Sequence, residues 1–230
     1  MEPWRVKQWR IPPEANAEFV WKMEDVLDVY TESYDGARVL VCMDETTKQQ
    51  VMEVRQPLTP APGQEYRYDA EYKRNGVSNV FMLFAPLESW RDVEVTDQRT
   101  KLDWAQVIRQ LADDHSPEAK RIVLVMDNLN IHSPASLYEA LRPEEAKRIA
   151  DRLEIHYTPK HGSWLNIAEI EMSVLARQCL SRRIPDQETL RREAAAWEQT
   201  RNESESTIDW RFTAQDARTK LKRLYPSFVV

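Results

Sequence analysis

Two aliphatic runs in this chain end abruptly in aspartate: VLVCMDE delivers Asp44 and VLVMDN delivers Asp127. A carboxylate leaving the end of a buried strand stands on a rigid core at the sheet edge, a good platform for holding metal. Strands also end in polar residues for no functional reason, and one such aspartate would carry little. Two matched instances together with a third acid favour a site. The third acid comes from TPKHGSWLNIAEIEMSVL, where Glu169 and Glu171 lie two positions apart. That is roughly 200° around a helix, so the two do not easily serve one site. Asn166, Glu169 and Ser173 share a polar face at i, i+3 and i+7, whereas Glu171 has Ile167, Val174 and Leu175 as helical neighbours. The polar face favours Glu169.

Three hard oxygen ligands, with no closely spaced histidine pair and no cysteine at ligand spacing, suit magnesium or manganese rather than zinc. Two such ions about 4 Å apart would activate an attacking oxygen and stabilise the leaving one in phosphodiester chemistry. Each ion would also neutralise charge that otherwise drives the carboxylates apart and repels DNA.

The elements that must position these acids are legible as alternating strands and helices. Apolar residues Phe19, Val20, Met23, Val26 and Leu27 recur with helical spacing between Glu14 and Tyr30. Arg38–Met43 reads as a buried strand ending at Asp44, and a second strand is expected around Gln50–Val54. A proline-dense loop occupies 57–64. Strands near Tyr66–Tyr72 and Val77–Leu83 are expected to be joined by an Asn75-Gly76 hairpin turn. Thr100, with Asp103 three residues on, caps a helix whose stripe is Trp104, Val107, Ile108 and Leu111. A strand at 121–126 then ends at Asp127, followed by helical pieces near 134–141 and 143–152 and a short strand at 153–157. Residues 164–180 form a helix, and another starts at Pro185 with Leu190, Ala194 and Trp197 as its stripe. Thr213 caps a short basic helix reaching Tyr225. The order predicts an α/β fold with a mixed sheet flanked by helices, because the early strands are joined as hairpins and the later ones through helices. The expected organisation is an arm and linker helix over 1–35, a catalytic domain over 36–202 and a helical tail over 203–230.

Composition agrees with a folded domain. A hydrophobic share of 42% with 30% charged residues suits a globular protein. No apolar run approaches the ~18 residues that span a bilayer, and Met1 is followed by Glu, Trp and Arg rather than an apolar signal core. A cytoplasmic location is therefore expected, with Cys42 and Cys179 as reduced packing residues. The net charge of −6 weighs against a stand-alone DNA binder, which usually carries a basic excess, more than against a catalytic core that concentrates acid at its site.

The three acids sit in blocks that closely resemble the mariner-like superfamily of DDE transposases, in its bacterial insertion-sequence branch (the IS six-thirty group). The blocks are MDET at 43–46, MDNLNIH at 126–132 and HYTPKHGSWLNIAEIE at 156–171, and they occur in the expected order. The resemblance covers about residues 38–200. It implies an RNase H-like fold with Asp44, Asp127 and Glu169 as the catalytic and metal-holding acids, and Asn128 and His132 at the polar positions after the second aspartate. It implies metal-dependent cleavage at a transposon end, then strand transfer to target DNA at a TA dinucleotide, with the protein acting as a dimer and associated with the nucleoid when bound to DNA. It also implies a helix-turn-helix DNA-binding region ahead of the catalytic domain, and the sequence is read as lacking one. The spacing from Asp127 to Glu169 is longer than the family usually shows, and residues 134–152 absorb the excess as an extra helical hairpin.

Several further residues carry two readings each. Glu45, pointing to the sheet face opposite Asp44, either supports the site or lies at the surface. His132 either contacts a phosphate or orients a metal-bound water, or it caps local backbone. Lys160 and His161, with Ser163, precede the Glu169 helix, where phosphate would meet positive side chains and a helix N-terminus; the other reading is ordinary solvated charge. Arg177, Arg182 and Arg183 form either a DNA-facing patch or a solvated helix face. Asn166 supports Glu169 from the same polar face. Trp164 reads as a packing anchor before a base-stacking residue, and Trp4 and Trp9 dock either on another subunit or on this one. Two other functions fit the same residues: a structure-selective nuclease or resolvase on this fold, and a truncated, non-catalytic transposase acting through oligomer contacts.

Overall fold

The computed structural model describes residues 12, 14–65, 67 and 69–227. Five strands form one mixed sheet: β1 (Arg38–Glu53), β2 (Tyr72–Ala85), β3 (Trp90–Thr96), β4 (Arg121–Met126) and β5 (Leu153–Tyr157), in the order β3-β2-β1-β4-β5. β1, β2 and β3 are antiparallel neighbours, while β4 runs parallel to β1 and to β5. The helices are α1 (Ala17–Tyr30), α2 (Lys101–Gln110), α3 (Pro134–Ala140), α4 (Pro143–Ala150), α5 (Ile167–Gln178), α6 (Gln187–Glu203) and α7 (Ala214–Lys220). The expected mixed sheet flanked by helices is what the chain forms, and α3 and α4 supply the helical hairpin between Asp127 and Glu169.

Alternation along β1 divides the core in two. Leu40 and Cys42 face a cluster that includes Phe19, Met23 and Leu27 of α1, Met172 and Leu175 of α5, Leu190 and Trp197 of α6 and Ala217 of α7. Val39, Val41 and Met43 face the opposite cluster, with Trp104 and Ile108 of α2, Leu137 of α3 and Ile149 of α4. The period of two therefore sends Asp44 toward α5 and Glu45 toward α2 and α3.

Four local expectations are corrected. Arg38–Met43 and Gln50–Val54 are not separate strands but parts of the 16-residue β1. β1 pairs with β4 only from Arg38 to Cys42 and continues beyond it as a ribbon with β2. That ribbon lies past the two-sided core, so its polar stretch TTKQQ needs no strict alternation. Second, Asn75-Gly76 is not a hairpin turn: β2 runs through it, and two residues there oppose the single Gln50 as a bulge. Gly76 sits at φ 113°, a region closed to residues with a Cβ. Of the strand expected at Tyr66–Tyr72, Tyr72 belongs to β2 and Arg67 forms an isolated bridge with Leu58; Tyr66 and Tyr68 lie outside the described residues. Third, β3 has no counterpart among the strands expected from the sequence. Fourth, α6 begins at Gln187, because Asp186 accepts the N–H of Thr189 at 2.7 Å and is the N-cap, and the Pro185 carbonyl instead accepts from Asn75.

β3 is an edge strand, and α6 covers it in a way that satisfies its outward backbone. Asn202 accepts the N–H of Arg91 and donates to its carbonyl, Glu198 accepts the N–H of Val93, and Arg191 donates to the carbonyl of Val95. A helix side chain on alternate strand residues blocks addition of a foreign strand at that edge.

Candidate active site

Each acid stands where an element changes neighbour. Asp44 lies two residues past Cys42, the last β1 residue paired with β4. Asp127 is the first residue after β4, and Glu169 is in the first turn of α5. Buried Asn166 ties these pieces together. Its side-chain oxygen accepts the N–H of Ala168 at 3.1 Å as the N-cap of α5, and its amide donates to the Met43 carbonyl at 2.7 Å. From the other side the Tyr30 hydroxyl donates to the Leu165 carbonyl at 2.8 Å. The start of the Glu169 helix is thus fixed to β1 beside Asp44 and to the end of α1.

The electrostatics identify a crowded acid site. Burial pushes the Asp44 carboxyl up to about 7, the N–H of Glu45 opposes this, and the carboxylates of Glu45, Asp127 and Glu169 push it further up. Among the described residues no lysine or arginine forms an ion pair with Asp44 or Glu169. Half-buried Asp44, Asp127 with 42% of its side chain exposed, and exposed Glu169 offer only oxygen donors, and of the three only Asp127 has a cationic partner among the described residues, His132. That set fits a magnesium- or manganese-type ion.

Of the two readings of Glu45, the structure excludes the surface one. Glu45 does point to the opposite sheet face, but that face is covered, and its side chain is only 2% exposed. Its Oε2 lies 3.2 Å from His132 Nε2 and its Oε1 3.3 Å from Arg99 Nη1. The His132 side chain is 0% exposed, which excludes the phosphate contact considered for it. Its Nδ1 faces the Asp127 carbonyl at 3.0 Å, the backbone-capping arrangement, and also Asp127 Oδ1 at 2.6 Å. Burial alone would lower the imidazole pKa, but Asp127 and Glu45 outweigh it and hold the ring up at about 9. The contacts with Glu45 Oε2 and Asp127 Oδ1 are close but poorly directed as hydrogen bonds, so charge attraction dominates them. One ligand atom from each of Glu45, Asp127 and His132 falls within a mutual distance of 4.8 Å.

A cleft of about 530 Å³ opens beside Asp127, lined by Asn128, Lys160, His161, Ser163 and, from α1, Lys22. Lys22 was missed in the sequence, where it is simply one charge on the polar face of an amphipathic helix. A 3-10 turn at Ser163–Leu165 separates Lys160 and His161 from α5, so the cleft's charge comes from side chains rather than directly from the helix end, with Lys22 paired to Glu18 at 2.9 Å on the same wall. Arg177 lies about two turns along α5 from Glu169, donating to Ser173 Oγ at 2.8 Å, and does not line the cleft. Arg182 pairs with Glu193, and Arg183 with Glu53. Trp164 packs edge-on against Phe212 at 5.9 Å, as an anchor. Trp4 and Trp9 lie outside the described residues. Both cysteines are free thiols.

The cleft loop depends on Gly162. A Cβ there would meet Pro159 Cγ at 2.6 Å and the Pro159 carbonyl at 2.9 Å, closer than such atoms approach. The same turn is closed by a hydrogen bond from Gly162 N–H to that carbonyl, and His161 already holds φ 65°. Gly162→Ala should cost about 1–3 kcal/mol in denaturant unfolding and weaken retention of duplex DNA, by displacing Lys160 and His161.

Glu171, disfavoured on its helix face, is fully buried. It accepts from Arg201 at 2.9 and 3.0 Å and pairs with Arg91 Nε at 2.9 Å, and Arg91 is itself 0% exposed. It is a structural acid two residues from the site.

A five-stranded mixed sheet with helices on both faces, carrying acids where β1 outruns β4, defines an RNase H-like domain. The sequence pattern of the DDE superfamily endonucleases matches residues 39–191, and the chain belongs to that family. Among solved structures, the Mos1 mariner paired end complex with Mn superposes with TM-score 0.58 at 16% identity, covering 96% of this chain and 65% of that one. This chain thus spans less than two thirds of that transposase chain. The pre-cleavage Mos1 transpososome gives 0.54 at 14% identity, over 98% of this chain and 68% of that one. The catalytic domain of Mos1 mariner transposase gives 0.51 at 10% identity, over 88% of this chain and 100% of the domain. No curated protein matches significantly in sequence. No helix among the described residues is long and apolar enough to cross a membrane.

Proposed function

We propose that this chain is the catalytic domain of an insertion-sequence transposase that cleaves DNA and transfers strands with two magnesium ions, manganese substituting. The observation that carries the reading is the match to the DDE superfamily endonucleases over residues 39–191, and the raising of the Asp44 carboxyl by burial and by the carboxylates of Glu45, Asp127 and Glu169 supports it. Such crowding is costly in the absence of a cation. Asp44, Asp127 and Glu169 would hold the metal, which supplies activation of the attacking oxygen and stabilisation of the leaving one. Lys22, Lys160, His161 and Ser163 would draw the phosphate backbone into the cleft, with Asn128 beside it; Arg177 would extend this surface along α5. Asn166 holds the Glu169 helix against β1, and Glu45 and His132 support Asp127 from behind.

In the first step water attacks phosphorus and the bond to the 3′ oxygen breaks, leaving a 3′-hydroxyl and a 5′-phosphate. That hydroxyl then attacks a phosphodiester phosphorus at a TA target, and as the new P–O bond forms the target's own bond to its 3′ oxygen breaks, leaving a target 3′-hydroxyl. The paired end and strand transfer complexes of Mos1 support DNA as the partner, and we add to the proposal a homodimer working in the bacterial cytoplasm. We take residues 36–202 as the catalytic portion. The packing of α1 and α7 into the same core favours counting both with it rather than as separate units.

The test is nicking of supercoiled plasmid in manganese. Wild type is expected to leave 3′-hydroxyl ends and Asp127→Asn to leave the plasmid intact. DNA-bound, metal-bound wild type that never nicks would overturn the reading.

A linked prediction concerns protons. A metal must compete with the proton on Asp44, so binding should release more protons at pH 6 than at pH 8.5. Calorimetry in buffers of different ionisation enthalpy measures this. Equal release at both pH values would remove Asp44 from the ligand set.

A further inference from the structure

The last residue pairs beside the site are Cys42 with Val125 between β1 and β4, and Met126 with Tyr157 between β4 and β5. Asp44 and Asp127 both lie past the β1–β4 ladder, so no backbone hydrogen bonds there set one relative to the other. Glu45 touches both. Its N–H donates to Asp44 Oδ1 at 2.8 Å. Its buried side chain meets Nε2 of His132, whose Nδ1 meets Asp127 on the other side of the ring. The ring is itself held: the Tyr157 hydroxyl donates to the His132 carbonyl at 2.7 Å, and Trp104 lies alongside at 6.1 Å between ring centres. Arg99 steadies the second Glu45 oxygen.

We propose that Glu45 is a positioning residue for both aspartates: its N–H holds the Asp44 carboxylate, and its side chain, through the buried His132 ring, holds that of Asp127. The inference rests on the reading of Asp44 and Asp127 as metal ligands. The same three side chains each bring one ligand atom within a mutual distance of 4.8 Å, so an ion held by them directly is the competing arrangement, which the double variant distinguishes.

Manganese calorimetry, with denaturant unfolding alongside, tests the proposal on wild type, Glu45→Ala, Glu45→Gln, His132→Asn, the Glu45→Ala/His132→Asn double variant and Asp127→Asn. Loss of a partner that orients a metal ligand costs about 10–100-fold in affinity, so Glu45→Ala should weaken manganese binding about tenfold or more. Glu45→Gln, which keeps an oxygen at the same reach but loses the charge that dominates the contact, should recover only part of it. A residue that acts through His132 adds nothing once His132 is replaced, so the double variant should bind as His132→Asn does. Should Glu45→Ala fail to fold, Glu45→Asp keeps the charge but not the reach and is expected to weaken binding too. Wild-type affinity in Glu45→Ala or in that fallback, with binding lost in Asp127→Asn, overturns this proposal alone. Additive losses in the double variant overturn it by making Glu45 a direct ligand. Unchanged binding in Asp127→Asn overturns the underlying site as well. A lowered unfolding midpoint with unmoved manganese affinity would make Glu45 merely structural.

Discussion

Asp44→Asn is expected to abolish strand cleavage and, in metal-free protein at pH 8, to raise the unfolding midpoint. Both effects come from one carboxyl. Its folded value of about 7 lies above the ordinary value of 3.8, so the folded state holds a proton that the unfolded state has lost. Folding stability must then fall as pH rises from about 4 to 7, and the full penalty persists above that range. Each tenfold difference in proton affinity between the folded and unfolded states is worth about 1.36 kcal/mol. Screening at this partly exposed site reduces the total to about 2 kcal/mol. For a chain of this size that is roughly 4–8 °C in midpoint. Asparagine keeps an oxygen for the Glu45 N–H and removes only the charge. Cleavage should fall by roughly 10³-fold or more, because a metal supplies several kcal/mol and each 1.36 kcal/mol is tenfold in rate. Thermal unfolding at pH 5 and pH 8, with a cleavage assay, checks the pair. A destabilised Asp44→Asn at pH 8 would mean that the carboxylate is already compensated in the metal-free fold.

The second large effect separates two acids that sit two residues apart. Glu171→Ala is expected to destabilise the protein by about 3–5 kcal/mol, the cost of leaving a buried charge unpaired. Arg91 would lose its carboxylate partner, keeping only Asn202, at 3.0 Å from Nη1, and the carbonyl of Ser206. Glu169→Gln, on an exposed face, should shift stability by no more than ~0.5 kcal/mol while removing cleavage. Denaturant unfolding and cleavage assays on both variants would show crossed phenotypes. Should Glu171→Ala be too unstable to purify, Glu171→Gln, which still offers one oxygen to Arg201, gives the graded loss. An active, unstable Glu169→Gln beside a stable, inactive Glu171→Gln would reverse the assignment.

The sequence carried the parts of this fold that depend on strict patterns. Arg121–Met126 and Leu153–Tyr157 are aliphatic-rich parallel strands with clear flanks, and the pair Thr100/Asp103 and the cap Thr213 mark helix starts that the structure keeps. The polar face of Asn166 and Glu169 and the apolar surroundings of Glu171 were equally readable, because helical periodicity separates residues two apart. What failed was whatever depends on pairing between distant segments. β1 continues through TTKQQ only because β2 lies beside it, and Asn75-Gly76 serves a bulge as readily as a turn. β3 needs α6 to satisfy its edge, and WRDVEVT looks too charged for a strand until Arg91 finds Glu171. Glu45 stayed open between a supporting and a surface place because nothing local reveals that His132 comes back to cover it.

The central claim is that Asp44, Asp127 and Glu169 hold metal as one site. Manganese titration by calorimetry of wild type, Asp127→Asn and Glu169→Gln tests it most directly. Binding by wild type that is lost, or weakened at least about tenfold, in both variants is the predicted result. Manganese bound with the same stoichiometry and affinity by all three proteins would contradict it.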